Sequence, residues 1–90
     1  MKKTSEDQGF QFPGVFEISA MGPADAGLER EIPAALQAAG LTVLAETLSS
    51  RASSAGRFVC VRVNFRAADR AEYEAAHAAL RAHPHVKWTL

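Results

Sequence analysis

The sequence predicts an α+β fold in which two helices cover one face of a four-stranded sheet. Residues 57–65 contain a strict alternation, from Val59 to Phe65, as a strand has when one face is buried and the other meets water. Residues 25–39 and 69–80 instead repeat apolar residues at helical spacing. The remaining apolar stretches are short and rich in β-branched residues, which is typical of strands.

The first strand is predicted over residues 15–21, with a Gly-Pro pair ending it. A helix is predicted over residues 25–39, although Pro33 interrupts it. Proline lacks a backbone donor, and its ring collides with the carbonyl group four residues earlier. Two outcomes stay open, a kink near Glu29 or a late start with Pro33 in the first helical position. The apolar face of this helix consists of Leu28, Ile32, Leu36 and Ala39.

The second strand is predicted over residues 41–48, followed by a polar loop at residues 49–56 and by a third strand that ends near residue 67. The glycine at position 56 suits a left-handed turn. In the third strand the residues expected to face the helices are Val59, Val61, Val63 and Phe65. Those expected on the opposite, open face are Cys60, Arg62 and Asn64.

The second helix is predicted to start at Asp69, which has the spacing of a capping box with Glu72. Pro84 is expected to close it, since proline cannot continue a helix. A last strand is predicted over residues 86–90. The side chains of this strand that are expected to face the helices are Val86, Trp88 and Leu90.

The predicted order, β-α-β-β-α-β, consists of two interlocked βαβ units. Right-handed crossovers place both helices on the same side of the sheet. This is the ferredoxin-like split β-α-β arrangement, an antiparallel sheet with the strand order 4-1-3-2. On the open face, Glu17 of the first strand is expected between Arg62 of the third strand and Lys87 of the fourth, because opposite charges stabilise neighbouring strands.

Chain length, net charge and cysteine content limit the classes of protein to which this chain can belong. The 90 residues make one domain, predicted over residues 12–90 behind a mobile polar tail at residues 1–11. Ten basic residues balance ten acidic ones, so no general attraction for nucleic acid or anionic lipid is expected. The single cysteine, Cys60, cannot form an internal disulfide, and no apolar run approaches the roughly 20 residues of a membrane span. A cytoplasmic location without a membrane partner is therefore predicted.

Several short motifs occur in a characteristic order. They are Phe12-Pro13 with Phe16, then Met21-Gly22, then S-S-A-G-R-F at residues 53–58 with Val61, and finally V-K-W-T-L at residues 86–90. In this order the chain resembles the YbeD-like family of small bacterial cytoplasmic proteins of unknown function, sometimes labelled lipoate-regulatory. The resemblance covers residues 12–90 and implies a ferredoxin-like fold akin to the ACT domains that sense small metabolites. It implies no catalytic residues.

No catalytic, metal or cofactor site is predicted. His77 and His83 lie on different faces of the second helix, and His85 follows the end of that helix. Cys60 has no base predicted near it that would activate it as a nucleophile. The serines around position 51 lack a nucleophile elbow and a paired His-Asp arrangement, so a hairpin loop explains them. We therefore expect that the protein is not an enzyme.

RNA-recognition modules share the predicted fold and stack bases on aromatic side chains of the open face. In this chain the predicted open face is polar, and Phe58 is its only aromatic side chain. Glu17 is expected to repel phosphate groups, and the balanced charge supplies no electrostatic attraction. The sequence therefore predicts no nucleic acid partner.

The predicted function is that of a regulatory or binding module that contacts a protein partner or forms a homodimer. The second strand lies at a sheet edge and residues 41–48 carry one charge, so a copy of itself or a partner strand is expected to pair there, at Val43. The alternative is an ACT-like sensor that binds a small-molecule effector near the Gly22 loop, a function inferred from fold analogy. The residues predicted to contact a ligand or partner are Met21, Gly22, Val43, Ser53, Ser54 and Gly56.

Overall fold

Strands and helices follow one another in the predicted order in the computed structural model, which describes residues 11–53 and 55–89. The strands are β1 (Gly14–Pro23), β2 (Thr42–Ala52), β3 (Phe58–Ala67) and β4 (Trp88–Thr89). The helices are α1 (Leu28–Ala38) and α2 (Arg70–Arg81), and a short 3-10 turn (Ala24–Ala26) precedes α1. The tail predicted at residues 1–11 lies, apart from its last residue, outside the described residues, as do Ser54 and Leu90.

Neighbouring strands of the sheet are antiparallel, and their order is β2-β3-β1-β4. Read from the other edge, this is 4-1-3-2, so the predicted ferredoxin-like topology is confirmed. β1 and β3 form the centre of the sheet and pair along their full length, from Gly14 opposite Ala67 to Pro23 opposite Phe58. The two helices pack on one side, which gives the sheet a covered face and an open face.

The hydrophobic core lies between the covered face and the two helices. Val61, Val63 and Phe65 of β3 are fully buried, as their alternation predicts. The helices contribute buried side chains at Leu28, Ile32, Leu36, Ala76 and Leu80. Neither α1 nor α2 is long and apolar enough to cross a membrane.

The interior of α1 contains Pro33, and the helix begins at Leu28, later than predicted. The alternative of a helix that starts at Pro33 is therefore wrong. Leu28 and Ile32 precede the proline and are fully buried. Burial of two such side chains stabilises the first turns by roughly 3–6 kcal/mol, which exceeds the roughly 3 kcal/mol that an interior proline costs. Gly27, in a left-handed conformation, precedes the helix, and its carbonyl group accepts hydrogen bonds from two amides of the first turn.

The predicted cap at the start of α2 is confirmed for Asp69, whose Oδ1 accepts from the amide of Glu72 at 2.9 Å. Glu72 reaches back as in a capping box, but its Oε1 accepts from the amide of Ala68, one residue before the cap, at 2.8 Å. Helix geometry leaves the first amides without intrahelical acceptors, and Asp69 supplies one. The pair therefore fixes the start of α2 just after the end of β3.

A bulge interrupts β2, which is also longer than predicted. The strand continues to Ala52, through the first half of the segment predicted as a loop. Its register against β3 shifts between Leu44 and Ser49. Thr47 bridges this gap, because Asn64 N donates to Thr47 Oγ1 at 2.8 Å and Oγ1 donates to the carbonyl group of Leu44 at 2.6 Å. A side-chain hydroxyl thus replaces a backbone acceptor in the ladder.

Trp88 of β4 lies on the open face, so the prediction that it faces the helices is wrong. It pairs with Met21 in register, and the amide of Lys87 also donates to the carbonyl group of Met21, at 2.7 Å. Two successive residues therefore oppose Met21, which is the arrangement of a β-bulge. The extra residue reverses the alternation, so that Val86 packs against the core whereas Trp88 is 55% exposed.

The predicted charge pair on the open face is confirmed for one of its two partners. Glu17 Oε2 lies 3.6 Å from Arg62 Nε, and both side chains are more than half exposed. Lys87 is not a neighbour of Glu17, because the described residues of β4 pair with β1 at Ala20 and Met21. An exposed pair of this kind contributes at most about 1 kcal/mol, so packing rather than charge holds the sheet together.

Two neighbouring positions of β3 test which face is covered. Val61→Ala is expected to lower the free energy of unfolding by about 1–3 kcal/mol, because it removes buried methyl groups and leaves a cavity. Arg62→Ala, on the open face, is expected to change it by less than about 0.5 kcal/mol. Urea denaturation of the two variants measures both values. The opposite ranking would show that the faces of β3 are assigned the wrong way round.

Candidate binding surface on the open face

An aromatic pair, the half-buried Phe58 and the exposed Trp88, marks the open face of the sheet. Phe58 begins β3 and Trp88 begins β4, and their ring centroids are 6.0 Å apart in an edge-to-face arrangement. Met21 lies on β1, between the two strands, and is the register partner of Trp88. Trp88 and Val15 are the large hydrophobic side chains that remain exposed among the described residues. Apolar side chains grouped on a surface indicate a contact site.

A cleft of about 260 Å³ opens next to the aromatic pair. Its surface is almost entirely apolar, and we call it the apolar cleft. Met21 and Trp88 form its side walls because the bulge in β4 turns Trp88 towards β1. The residues that line it are Ser19, Ala20, Met21, Cys60, Trp88 and Thr89.

A second cleft, of about 320 Å³, lies on the same face towards β2. Arg51 and Arg62 line it, and we call it the arginine cleft. Arg51 is opposite Cys60 in register, and Arg62 is opposite Ser49. Cys60 lines both clefts, so they are adjacent. The open face therefore presents an apolar site directly beside a cationic one.

Cys60 is half-buried on the open face, as predicted. The described side chains that share its two clefts include no histidine and no carboxylate. Nucleophilic catalysis by cysteine requires a general base that activates the thiol, and the described lining of these clefts supplies none. Among the described residues, no three side chains of the His, Cys, Asp and Glu types come together as a metal site would need.

The histidines lie away from the open face. His83 Nε2 is 3.1 Å from Glu31 Oε1, and Nδ1 of His83 accepts a hydrogen bond from the amide of His85 at 3.1 Å. This contact joins α1 to the segment that follows α2. Burial, and then the positive charge of Arg81, lower the pKa of His77. The Nε2 atom of His77 is buried without a hydrogen-bond partner in the described part of the chain.

The residues predicted as ligand or partner contacts are not brought together. Met21 lines the apolar cleft, whereas Val43 is half-buried on the covered face and packs against the core. Ser53 and Gly56 close the turn between β2 and β3, far along the hairpin from Val43. Ser54 is outside the described residues.

Ser53 and Gly56 have a structural role, because their hydrogen bonds shape the turn between β2 and β3. The amide of Ser53 donates to the carbonyl group of Phe58 at 2.8 Å, and Ser53 Oγ accepts from the amide of Phe58 at 3.2 Å. The amide of Gly56 donates to the carbonyl group of Ser53 at 2.9 Å, and Gly56 has a left-handed backbone with φ of 74°. These contacts fix the backbone of Phe58, and through it the position of the aromatic pair.

Gly22 lies inside β1 rather than in a loop, since the strand continues to Pro23. It is buried, and a Cβ atom at this position would overlap the carbonyl oxygen of His85 and come within 2.7 Å of Leu28 Cδ1. The absence of a side chain therefore lets the segment after α2 pack directly on β1.

Sequence reasoning missed the aromatic pair. Phe58 was predicted as the only aromatic side chain on the open face, but Trp88 joins it there. The alternation of residues 86–90 pointed Trp88 to the other side, and a bulge leaves no mark in that alternation. The one available signal was composition, because tryptophan and arginine are the residue types enriched at binding surfaces.

These features define a small ferredoxin-like domain whose sheet carries an apolar, arginine-flanked face. The chain belongs to the DUF493 family, a family of proteins of unknown function. The family model matches residues 7–90. The predicted resemblance to small bacterial proteins of unknown function is confirmed.

Relatives in other bacteria match over nearly the whole chain. The UPF0250 protein Smlt4048 of Stenotrophomonas maltophilia is 56% identical over 90 residues, which cover 100% of this chain and 98% of the relative. The UPF0250 protein XAC0666 of Xanthomonas axonopodis pv. citri is 57% identical over 84 residues, which cover 93% of this chain and 91% of the relative. The solution structure of protein HP0495 from H. pylori matches with a TM-score of 0.73 at 12% identity, over 100% of this chain and 97% of that chain, and shows the same fold.

Proposed function

We propose that the protein is a non-enzymatic regulatory module that acts by binding another protein or a second copy of itself. The observation that carries this proposal is the aromatic pair on the open face, where Trp88 is 55% exposed beside the apolar cleft. Removing a large apolar side chain from water stabilises a contact by roughly 1.5–3 kcal/mol. Tryptophan and arginine are also the residue types that most often dominate binding energy at protein interfaces.

The outward edge of β2 is the second proposed contact surface. The amide of Asn64 points towards β2, and successive residues of a strand direct their amides to opposite sides. Leu44 is the register partner of Asn64, so its amide faces β3 and that of Val43 faces outward. The bulge after Leu44 shortens this free edge, and bulges are one way in which proteins protect an edge strand. The open face is therefore the primary surface.

A photo-cross-linking residue in place of Lys87 tests the proposal, because Lys87 is exposed next to Trp88. Irradiation of cells is expected to yield adducts with a defined protein or with a second copy of the chain. Glu74, which is exposed on α2, is the control position. Trp88→Ala is expected to abolish the adducts at Lys87 without unfolding the domain. Adducts at Lys87 that do not exceed those at Glu74 would contradict the proposal.

Val43→Pro separates the two surfaces. Its amide faces outward, so proline removes no hydrogen bond of the ladder, and the expected loss is about 1–2 kcal/mol from side-chain packing. Leu44→Pro is the matched control and is expected to cost more, because it removes a donor to β3. We expect Val43→Pro to leave the Lys87 adducts and the sedimentation behaviour unchanged. If Val43→Pro abolishes the contact and Trp88→Ala does not, the edge carries the function and the open face does not.

The alternative function, an ACT-like sensor with a small molecule near Gly22, has less support. The carbonyl group of His85 occupies the space over Gly22 on the side of the helices. The nearest open space is the apolar cleft beside Met21, on the other face of the sheet. The surface of this cleft is almost entirely apolar, whereas small-molecule sites use a few placed polar groups to fix the orientation of the ligand. An apolar side chain of a protein partner suits such a surface better.

A further inference from the structure

Charge is distributed unevenly between the two sides of the domain, although the net charge of the chain is zero. Among the described residues that strand pairing places on the open face, the exposed arginines are Arg51, Arg62 and Arg66, and the carboxylate is that of Glu17. On the helix side the carboxylates are those of Asp25, Glu29, Glu31, Asp69, Glu72 and Glu74, and the arginines are Arg30, Arg70 and Arg81. The open face is therefore cationic and the helix side anionic.

The arginines of the open face are available to a partner. Glu17 meets Arg62 across 3.6 Å, in a pair that is more than half exposed. No ion pair joins Arg51 or Arg66 to a carboxylate within residues 11–53 and 55–89. Arginine binds carboxylate groups through several parallel donors, which makes it the preferred residue for recognising them at interfaces.

We propose that the open face binds an acidic peptide segment of a partner protein. An apolar side chain of this segment enters the apolar cleft beside Trp88, and flanking carboxylates pair with Arg51 and Arg62 in the arginine cleft. The two clefts share Cys60 as a common wall, so one short segment reaches both. This inference rests on the binding function proposed above and adds the chemistry of the partner.

The geometry favours a peptide over a single-stranded nucleic acid, which also carries negative charge. Bases stack on aromatic faces that lie open to solvent. Phe58 is half-buried and meets Trp88 edge to face, and Trp88 lines the concave apolar cleft, so the pair does not form a flat platform. A carboxylate-bearing segment with a protruding side chain suits this shape.

Peptide titration tests the inference on the full chain. The probe is a labelled short peptide with a single leucine flanked by glutamates, followed by fluorescence anisotropy. Trp88 is the only tryptophan of the chain, so its own emission reports occupation of the apolar cleft. We expect saturable binding that shifts the emission of Trp88 and weakens as salt is raised, because exposed charges are screened. Peptides with glutamine in place of glutamate, or glycine in place of leucine, are expected to bind more weakly.

Variants assign the binding to the two clefts. The double variant Arg51→Gln, Arg62→Gln is expected to lower the affinity for the peptide by about three- to tenfold, which corresponds to the loss of two partly exposed ion pairs. Trp88→Ala is expected to weaken it by about tenfold or more, measured by anisotropy. Arg30→Gln, which removes one positive charge on the helix side, is the control and is expected to have no effect.

The outcomes separate this inference from the proposed function. Any of three results would overturn the assignment of an acidic peptide. The glutamine peptide binds as tightly as the glutamate peptide, the double arginine variant keeps its affinity, or an oligouridylate binds more tightly than the acidic peptide. If the peptide does not bind but adducts still form at Lys87, the binding function stands and the partner has a different chemistry. If neither is observed, both proposals are wrong.

Discussion

Phe65→Ala is expected to lower the free energy of unfolding by about 3–5 kcal/mol, the usual cost of deleting a buried aromatic side chain. Phe65 is fully buried at the centre of the covered face. Its ring centroid lies 6.2 Å from that of Phe16 and 6.3 Å from that of Tyr73, so it joins β1, β3 and α2. A domain of 90 residues has a total stability of roughly 5–13 kcal/mol, and this one substitution removes a large share of it.

Urea denaturation measures this loss, and the same strand supplies the control. Phe58→Ala makes the identical change on the open face, where the ring is half-buried, and is expected to cost about 1 kcal/mol. Phe65→Leu is expected to lose about 1–2 kcal/mol and keeps the comparison measurable if the alanine variant does not fold. Similar losses for Phe65→Ala and Phe58→Ala would mean that the core does not lie on the covered face.

The central elements could be predicted because burial alternates there without interruption. β1 and β3 pair along their whole length, so each side chain of β3 reports its face, from Val59 to Phe65. The start of α2 could also be predicted, since Asp69 and Glu72 form their hydrogen bonds within one turn of the chain. Local chemistry and uninterrupted alternation are the parts of a fold that a sequence states directly.

The two edge strands could not be predicted in the same way, because bulges depend on contacts between distant residues. In β2 the hydroxyl group of Thr47 accepts from Asn64, a residue of the neighbouring strand. In β4 two residues oppose Met21, which reverses the face of Trp88. The alternation of apolar residues is the same with or without such a bulge. The candidate site depends on the second bulge, so only Met21 of its apolar wall was among the predicted contacts.

Gly22 shows that a close approach to a glycine has more than one explanation. The sequence singled out this glycine as a residue where the backbone of the chain could approach a ligand. In the structure the close neighbour is the carbonyl group of His85, so the glycine serves the packing of the chain on itself. A glycine pattern predicts that something comes close to the backbone, but it does not say whether that is a ligand or the protein.

Gly22→Ala is expected to lower the free energy of unfolding by about 3 kcal/mol, the upper part of the range for an overpacked site. The added Cβ overlaps the carbonyl group of His85 and approaches Leu28 Cδ1 to 2.7 Å, so both the segment after α2 and the first turn of α1 must move. The hydrogen bond from Lys87 to the carbonyl group of Met21 lies next to this overlap and is expected to weaken. Trp88 follows Lys87, so its emission should shift towards that of a fully exposed indole.

The control for this substitution is Gly56→Ala. Gly56 has φ of 74° and open space where its Cβ would lie, so alanine there meets backbone strain of about 1–2 kcal/mol without any collision. Urea denaturation and the emission of Trp88 should therefore separate the two variants, with a larger loss and a spectral shift for Gly22→Ala alone. If Gly22→Ala leaves both stability and emission unchanged, the segment after α2 does not pack on β1. The space beside Gly22 would then be open, and a small-molecule site there would become the better explanation of this glycine.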